Sequence, residues 1–246
     1  MFPIRDHNPS RHVPVVTLGL MAVNIAVYLW GLAVLTDDRA TWDFYLDWAL
    51  FPARLSDLQG MHTLVTSTFL HAGFWHLAGN MLFLWIYGDN MEDEFGRVGF
   101  LLFYLAGGIA ASLLQWAAEP WSPIPVVGAS GAIAAVMGGY LLLFPRARID
   151  ILLFLVVYVR TFAVPAFLVL GLWFALQIFG GVNTPTDEGG VAYWAHIGGF
   201  AAGLALTVPL WLRLGGPGYW TRTHGHPPHP ETAMVESRVP VVRRRR

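Results

Sequence analysis

Six stretches free of Asp, Glu, Lys and Arg decide what this 246-residue chain can fold into. They cover 13–36, 58–88, 98–118, 120–145, 161–186 and 189–212, and hold 24, 31, 21, 26, 26 and 24 residues. A bilayer core of about 30 Å is crossed by about 20 helical residues rising 1.5 Å each. Each run is therefore long enough to span. Charged residues are 13% of the chain and hydrophobic residues 55%, where a soluble domain has roughly 25% charged. The pattern excludes a soluble globular enzyme and a nucleic-acid-binding domain.

The expected fold is an all-α membrane protein, a bundle of six transmembrane helices within the lipid bilayer. The spacing predicts helices at about 13–35, 74–94, 98–117, 130–145, 161–179 and 193–213. The first run is too long for the apolar core of a cleaved signal peptide and reads as a retained helix. Between the first two helices, Trp42, Phe44, Tyr45, Trp48 and Phe51 alternate with acids. This first loop suits the membrane interface, where aromatic rings settle. The apolar segment 151–159 is too short to span and is expected to lead into the fifth helix. Three parts follow: an N-terminal segment 1–12, a six-helix core 13–213, and a tail 214–246 rich in Arg, Pro and His that is expected to be disordered. There is no internal repeat of the kind transporters carry.

Lysine is absent, so all 15 basic residues are Arg, and their distribution sets an orientation. Six spans place Arg5, Arg11, Arg97, Arg146, Arg148, Arg160, Arg213, Arg222, Arg238 and Arg243, Arg244, Arg245 and Arg246 on one side, leaving Arg39 and Arg54 on the other. Cytoplasmic loops are enriched in Lys and Arg. Both termini are thus expected in the cytoplasm, with the chain in the cell inner (plasma) membrane.

Helices two, four and six all begin on the outer side, and each carries a distinctive polar residue near its start. His76 and Asn80 are four residues apart and share a helix face about 6 Å apart. Ser130 stands in Gly128-Ala129-Ser130-Gly131, and His196 opens a stretch that runs to Gly203. Taken singly, a Ser among Gly and Ala is usually a packing residue, and an intramembrane His often bonds a neighbouring helix. Together at one depth they make acyl-transfer chemistry. A neutral imidazole at His196 activates the Ser130 hydroxyl as nucleophile. The N–H groups at the start of a helix, with His76 and Asn80 as side-chain donors, face a developing oxyanion. No Asp or Glu lies at this depth, so the catalytic unit is a Ser–His dyad. Gly199 and Gly203, at i and i+4, are read as residues that let helices approach closely.

Other intramembrane chemistries fail on residue types. An aspartyl enzyme needs two membrane-embedded Asp, and the six runs contain none. No His-Glu pair exists to begin a zinc-protease motif. Cysteine is absent, which removes thiolate metal sites and a Cys nucleophile. Neither a metal nor a cofactor is expected. Gly-x-Ser-x-Gly is unmet, since Ala132 stands where the last Gly belongs.

His76-Leu77-Ala78-Gly79-Asn80, Gly128-Ala129-Ser130-Gly131, Ala195-His196 through Gly203, and the opening Ile4-Arg5-Asp6-His7-Asn8-Pro9 resemble the rhomboid family of intramembrane serine proteases over about residues 1–213. The resemblance implies a six-helix bundle with a water-filled cavity open to the outer side. It implies Ser130 as nucleophile, His196 as base, and an oxyanion hole of His76, Asn80 and the Ser130 N–H. Implied substrates are single-span or other transmembrane proteins cut near the outer membrane boundary, with access gated by the fifth helix and the 180–193 loop. The competing reading is an inactive rhomboid-like protein that binds membrane clients without cutting them. Oligomeric state is left open. The chain departs from some relatives in two places. Ala134 stands where they have a Tyr that stacks on the catalytic His, and the first loop has no Trp-Arg pair.

Overall fold

The computed structural model describes residues 2–155, 158–184 and 190–227. The order is β1 (Phe2–Asp6), α1 (Val15–Val34), α2 (Asp38–Trp48), α3 (Pro52–Ser56), α4 (Thr63–Thr66), α5 (Phe74–Ala118), α6 (Ser130–Leu143), β2 (Arg148–Leu155), β3 (Tyr158–Pro165), α7 (Ala166–Asn183), α8 (Tyr193–Arg213) and α9 (Pro217–Thr223). Four helices, α1, α5, α7 and α8, are long and apolar enough to cross a membrane, and α6 is a shorter apolar helix.

The second and third predicted helices form one 45-residue element with two arms that meet at Gly96. Gly96 has φ 69° and ψ 164°, a left-handed-side conformation that a residue without Cβ adopts cheaply, and the chain turns there without a loop.

Helix α6 is the centre of the bundle. Every residue from Gly131 to Tyr140 is buried, as befits a helix apolar on all sides. Its small residues set how near its neighbours come. A Cβ on Gly107 of α5 would lie 2.4 Å from the Ala135 Cβ, and one on Gly138 would lie 2.2 Å from the Phe200 carbonyl oxygen of α8. Backbone therefore meets a methyl group on the α5 flank and backbone on the α8 flank, and α6 is held by close packing instead of by long side chains. Helix α1 joins through a polar latch. The buried Glu92 carboxylate of α5 accepts from the N–H groups of Val16 and Thr17 at 2.9 and 2.8 Å, and from the Thr17 hydroxyl at 2.9 Å. An acid at a helix start satisfies orphan donors and favours the dipole.

The all-α expectation is incomplete, because a three-stranded antiparallel sheet of order β1-β2-β3 closes one end of the bundle. Segment 151–159 leads into a hairpin and not directly into the fifth helix, and that helix begins at Ala166 instead of about 161. Two causes are visible. Ile149 and Ile151 of β2, two apart, both join the hydrophobic core, while Asp150 between them turns to Arg5 and His7, the alternation of a strand. Pro165 sits at the N-cap of α7, and a proline biases the residue before it away from helix. Strand β1 is fastened to β2 by charge. Arg5 Nε and His7 Nε2 lie 2.6 and 2.8 Å from the two Asp150 oxygens. Burial raises the Asp150 carboxyl, but the bonds from Arg5 and His7 outweigh it and hold the group below its ordinary value. Asp6, at the end of β1, accepts a 2.6 Å bond from the Tyr140 hydroxyl of α6. Burial pushes its carboxyl up to about 7, against the lowering effect of the Tyr140 bond and aided by the negative Asp89 nearby.

Part of the segment expected to be a disordered tail is folded. Helix α9 buries Tyr219, and Trp220 donates to the Leu142 carbonyl at 2.9 Å while its ring meets Trp211 at 4.8 Å. The remainder, with His229, Arg238 and 243–246, lies outside the described residues, as do 185–189 of the 180–193 loop. In the first loop, α2 packs Phe44 and Tyr45 toward Phe51 and Leu70, while Trp42 and Trp48 are exposed.

Candidate active site

Ser130 is the first residue of α6, and His196 lies in the first turn of α8. Their approach depends on two residues without side chains. A Cβ on Gly199 would fall 2.0 Å from the Gly131 carbonyl oxygen, and one on Gly203 would fall 1.9 Å from that of Ala135. With backbone against backbone, the Ser130 Oγ is 2.7 Å from His196 Nε2. Gln115, at the end of α5, fixes where α8 starts: its Oε1 accepts from the Ala195 N–H at 3.1 Å.

The other imidazole nitrogen, Nδ1, lies 2.8 Å from Oε1 of Gln177 on α7. The Gln177 Nε2 donates to the Trp173 carbonyl at 3.3 Å. A carbonyl only accepts, so the amide must turn its NH2 to Trp173 and its oxygen to His196. Nδ1 then carries the proton, and Nε2 presents a lone pair to the Ser130 hydroxyl. Trp173 also packs on the His196 ring, with centroids 5.7 Å apart and planes 36° apart. Gln115, Gln177 and Trp173 join His76, Asn80, Ser130 and His196 here without being among the residues the sequence singles out.

His76 and Asn80 stand across the cleft from His196. Gly128, with φ 125°, passes so close that a Cβ there would be 2.6 Å from His76 Nε2 and 3.6 Å from Asn80 Nδ2. Only glycine suits both that conformation and that gap. Asn80 Nδ2 donates to Nε2 of His71 at 2.9 Å, and the His71 and His76 rings meet edge to face at 5.1 Å. An amide NH2 has two hydrogens, so one is held by His71 and the second remains. All four polar residues selected from the sequence line one cavity of about 750 Å³, together with Trp173 and Gln115. Among the described residues, no group of three or more His, Asp or Glu is placed to hold a metal ion.

A hydroxyl on an imidazole lone pair, beside a helix start and two further N–H donors, is equipped for nucleophilic attack on a carbonyl. The Rhomboid domain family model matches residues 58–213, which contain every one of these groups. The chain belongs to the rhomboid family. It is 31% identical over 207 residues to Rhomboid protein 1, mitochondrial, of Saccharomyces cerevisiae, covering 79% of this chain and 53% of that protein. It is 36% identical over 146 residues to Rhomboid protease GluP of Bacillus subtilis, covering 59% of this chain and 26% of that protein. A 69-residue stretch is 45% identical to Rhomboid-like protein 11, chloroplastic, of Arabidopsis thaliana, covering 28% of this chain and 24% of that protein. The chain thus spans about half or less of the length of these relatives. Family and apolar helices together make it a multi-pass membrane protein of a protease family.

Proposed function

We propose that this rhomboid-family chain is an intramembrane serine endopeptidase that cuts transmembrane protein substrates through a Ser130–His196 dyad. The observation that carries the reading is the 2.7 Å contact between Ser130 Oγ and His196 Nε2 inside an apolar helix bundle. His196 takes the Ser130 proton as Oγ attacks the scissile carbonyl, and the oxygen becomes an oxyanion. The Ser130 N–H, His76 and the second Asn80 N–H donate to that charge. The intermediate collapses as His196 passes its proton to the leaving amine. Water then repeats the sequence on the acyl-enzyme, giving a free acid and restoring Ser130.

In this reading six spans form the core: α1, the two arms of α5, α6, α7 and α8. The Arg-rich side, with both termini and the sheet, faces the cytoplasm of the cell inner membrane. The cavity opens to the other side, where the substrate is cut near the membrane boundary. The test is co-expression with a panel of single-span model substrates, reading fragment masses for wild type and Ser130→Ala. Fragments from wild type alone, with masses that place the cut near the outer boundary, are expected. No cleavage of any substrate, or equal cleavage by Ser130→Ala, overturns the reading.

A further inference from the structure

The dyad sits on α6 and α8, yet the third hydrogen-bonded member of the constellation comes from α7. From this placement we infer that Gln177 is a positioning residue of the active site, fixing the tautomer and ring plane of His196; the inference rests on the Ser130–His196 reading above.

Three observations carry it. Gln177 is 8% exposed, so its amide is not exchanging partners with bulk water. Its two ends are committed in one sense only, Nε2 to the Trp173 carbonyl and Oε1 to His196 Nδ1. The His196 ring has a partner on each nitrogen, at 2.8 and 2.7 Å. An imidazole that donates from Nδ1 keeps its Nε2 lone pair for the serine; the reversed tautomer would place a proton there and block the transfer. A Ser–His–Asp site fixes the same tautomer with a carboxylate. In this chain a neutral amide does so, which suits a depth where an unpaired charge is costly. Trp173, one helical turn earlier on α7, restrains the same ring from its face. Helix α7 therefore takes part in the chemistry through His196, although it carries neither reacting group.

The test uses the full chain in detergent or liposomes. Gln177→Met keeps the length and loses the strong acceptor; Gln177→Glu keeps a carbonyl acceptor at the same reach. With a single-span model substrate that wild type cleaves, Gln177→Met is expected to lower kcat by up to about tenfold, since a hydrogen bond of this kind is worth up to about a decade in an equilibrium. KM should stay within about twofold, because Gln177 acts on His196 and not on the substrate. Gln177→Glu should recover most of kcat. The ¹⁵N signals of selectively labelled His, assigned by loss in His196→Asn, give a readout independent of turnover. Wild type should show His196 protonated at Nδ1, and Gln177→Met should lose that single state. Wild-type kcat and an unchanged Nδ1 proton in Gln177→Met overturn the inference, as does a Gln177→Glu enzyme no better than Gln177→Met. If wild type shows the Nδ1 proton but neither cleaves nor labels with a fluorophosphonate, the protease reading fails while the positioning bond stands.

Discussion

A single methyl group on Gly199 should abolish the proposed cleavage although Gly199 performs no chemistry. In Gly199→Ala the new Cβ would lie 2.0 Å from the Gly131 carbonyl oxygen. The oxygen is backbone and a Cβ is fixed rigidly to its own Cα, so no flexible side chain can swing away. Restoring even a tight contact of about 3 Å requires α8 to move from α6 by about 1 Å. A shift of that size along the Ser130–His196 vector would stretch their 2.7 Å bond to about 3.7 Å, beyond the range of a hydrogen bond. Misplacement of reacting groups by about 1 Å costs about 100-fold in rate. The expected result is at least that loss in cleavage, a parallel loss of fluorophosphonate labelling at Ser130, and a lowered melting temperature. Gly19→Ala on α1 is the control, because a Cβ there meets nothing within 4 Å. It should cleave and label normally. If Gly199→Ala behaves like that control, the α6–α8 contact does not set the dyad geometry.

Other perturbations separate the remaining parts of the site and fold. Asn80→Ala should lower kcat with little change in KM, by up to the about 2.7–4 kcal/mol of a lost oxyanion donor, and His71→Leu should show a smaller effect that vanishes in the Asn80→Ala background; additive losses would mean that His71 does not act through Asn80. Asp6 is protonated in the folded state up to about pH 7 but only to about 3.8 when unfolded, so its contribution to docking β1 is full below pH 3.8 and lost as pH rises through 7. At 1.36 kcal/mol per unit the loss is at most about 4 kcal/mol, read as falling hydrogen-exchange protection of residues 2–6, and Asp6→Asn should flatten it; protection that rises across this window contradicts the assignment. Asp150, held low, acts with the opposite sign: its contribution is present above its ordinary 3.8 and declines as pH falls below it, so β1 should be held best near about pH 4.

Much of the site was legible because charge-free runs of spanning length fix how often the chain reverses direction. Reversal fixes depth, and depth alone groups His76, Asn80, Ser130 and His196. Helix starts alone do not account for every polar residue at that depth. Gln177 lies near the end of the oppositely directed α7, at the same level, and an isolated Gln in an apolar run was the signal that would have found it. Gln115 at the end of α5 is the same omission. The sheet was hidden for another reason: β1 and β2 are joined by Arg5, His7 and Asp150, residues about 145 positions apart whose pairing no local period records.

Ala134 shows how such separate features constrain one another. Some relatives place a Tyr at this position to stack on the catalytic His, and Ala134 alone reads as a missing support. In the folded chain Ala134 is fully buried where α8 crosses α6, and its Cβ would be 3.3 Å from a Cβ on Gly199. A large ring has no room there while the two backbones remain in contact. The imidazole must then be restrained from the side that α6 does not occupy. Helix α7 supplies that restraint twice, through the face of Trp173 and the amide of Gln177. A small residue on the helix of the nucleophile and a Trp–Gln pair on α7 are thus one solution, and enlarging Ala134 without retracting Gly199's contact should cost activity instead of adding support.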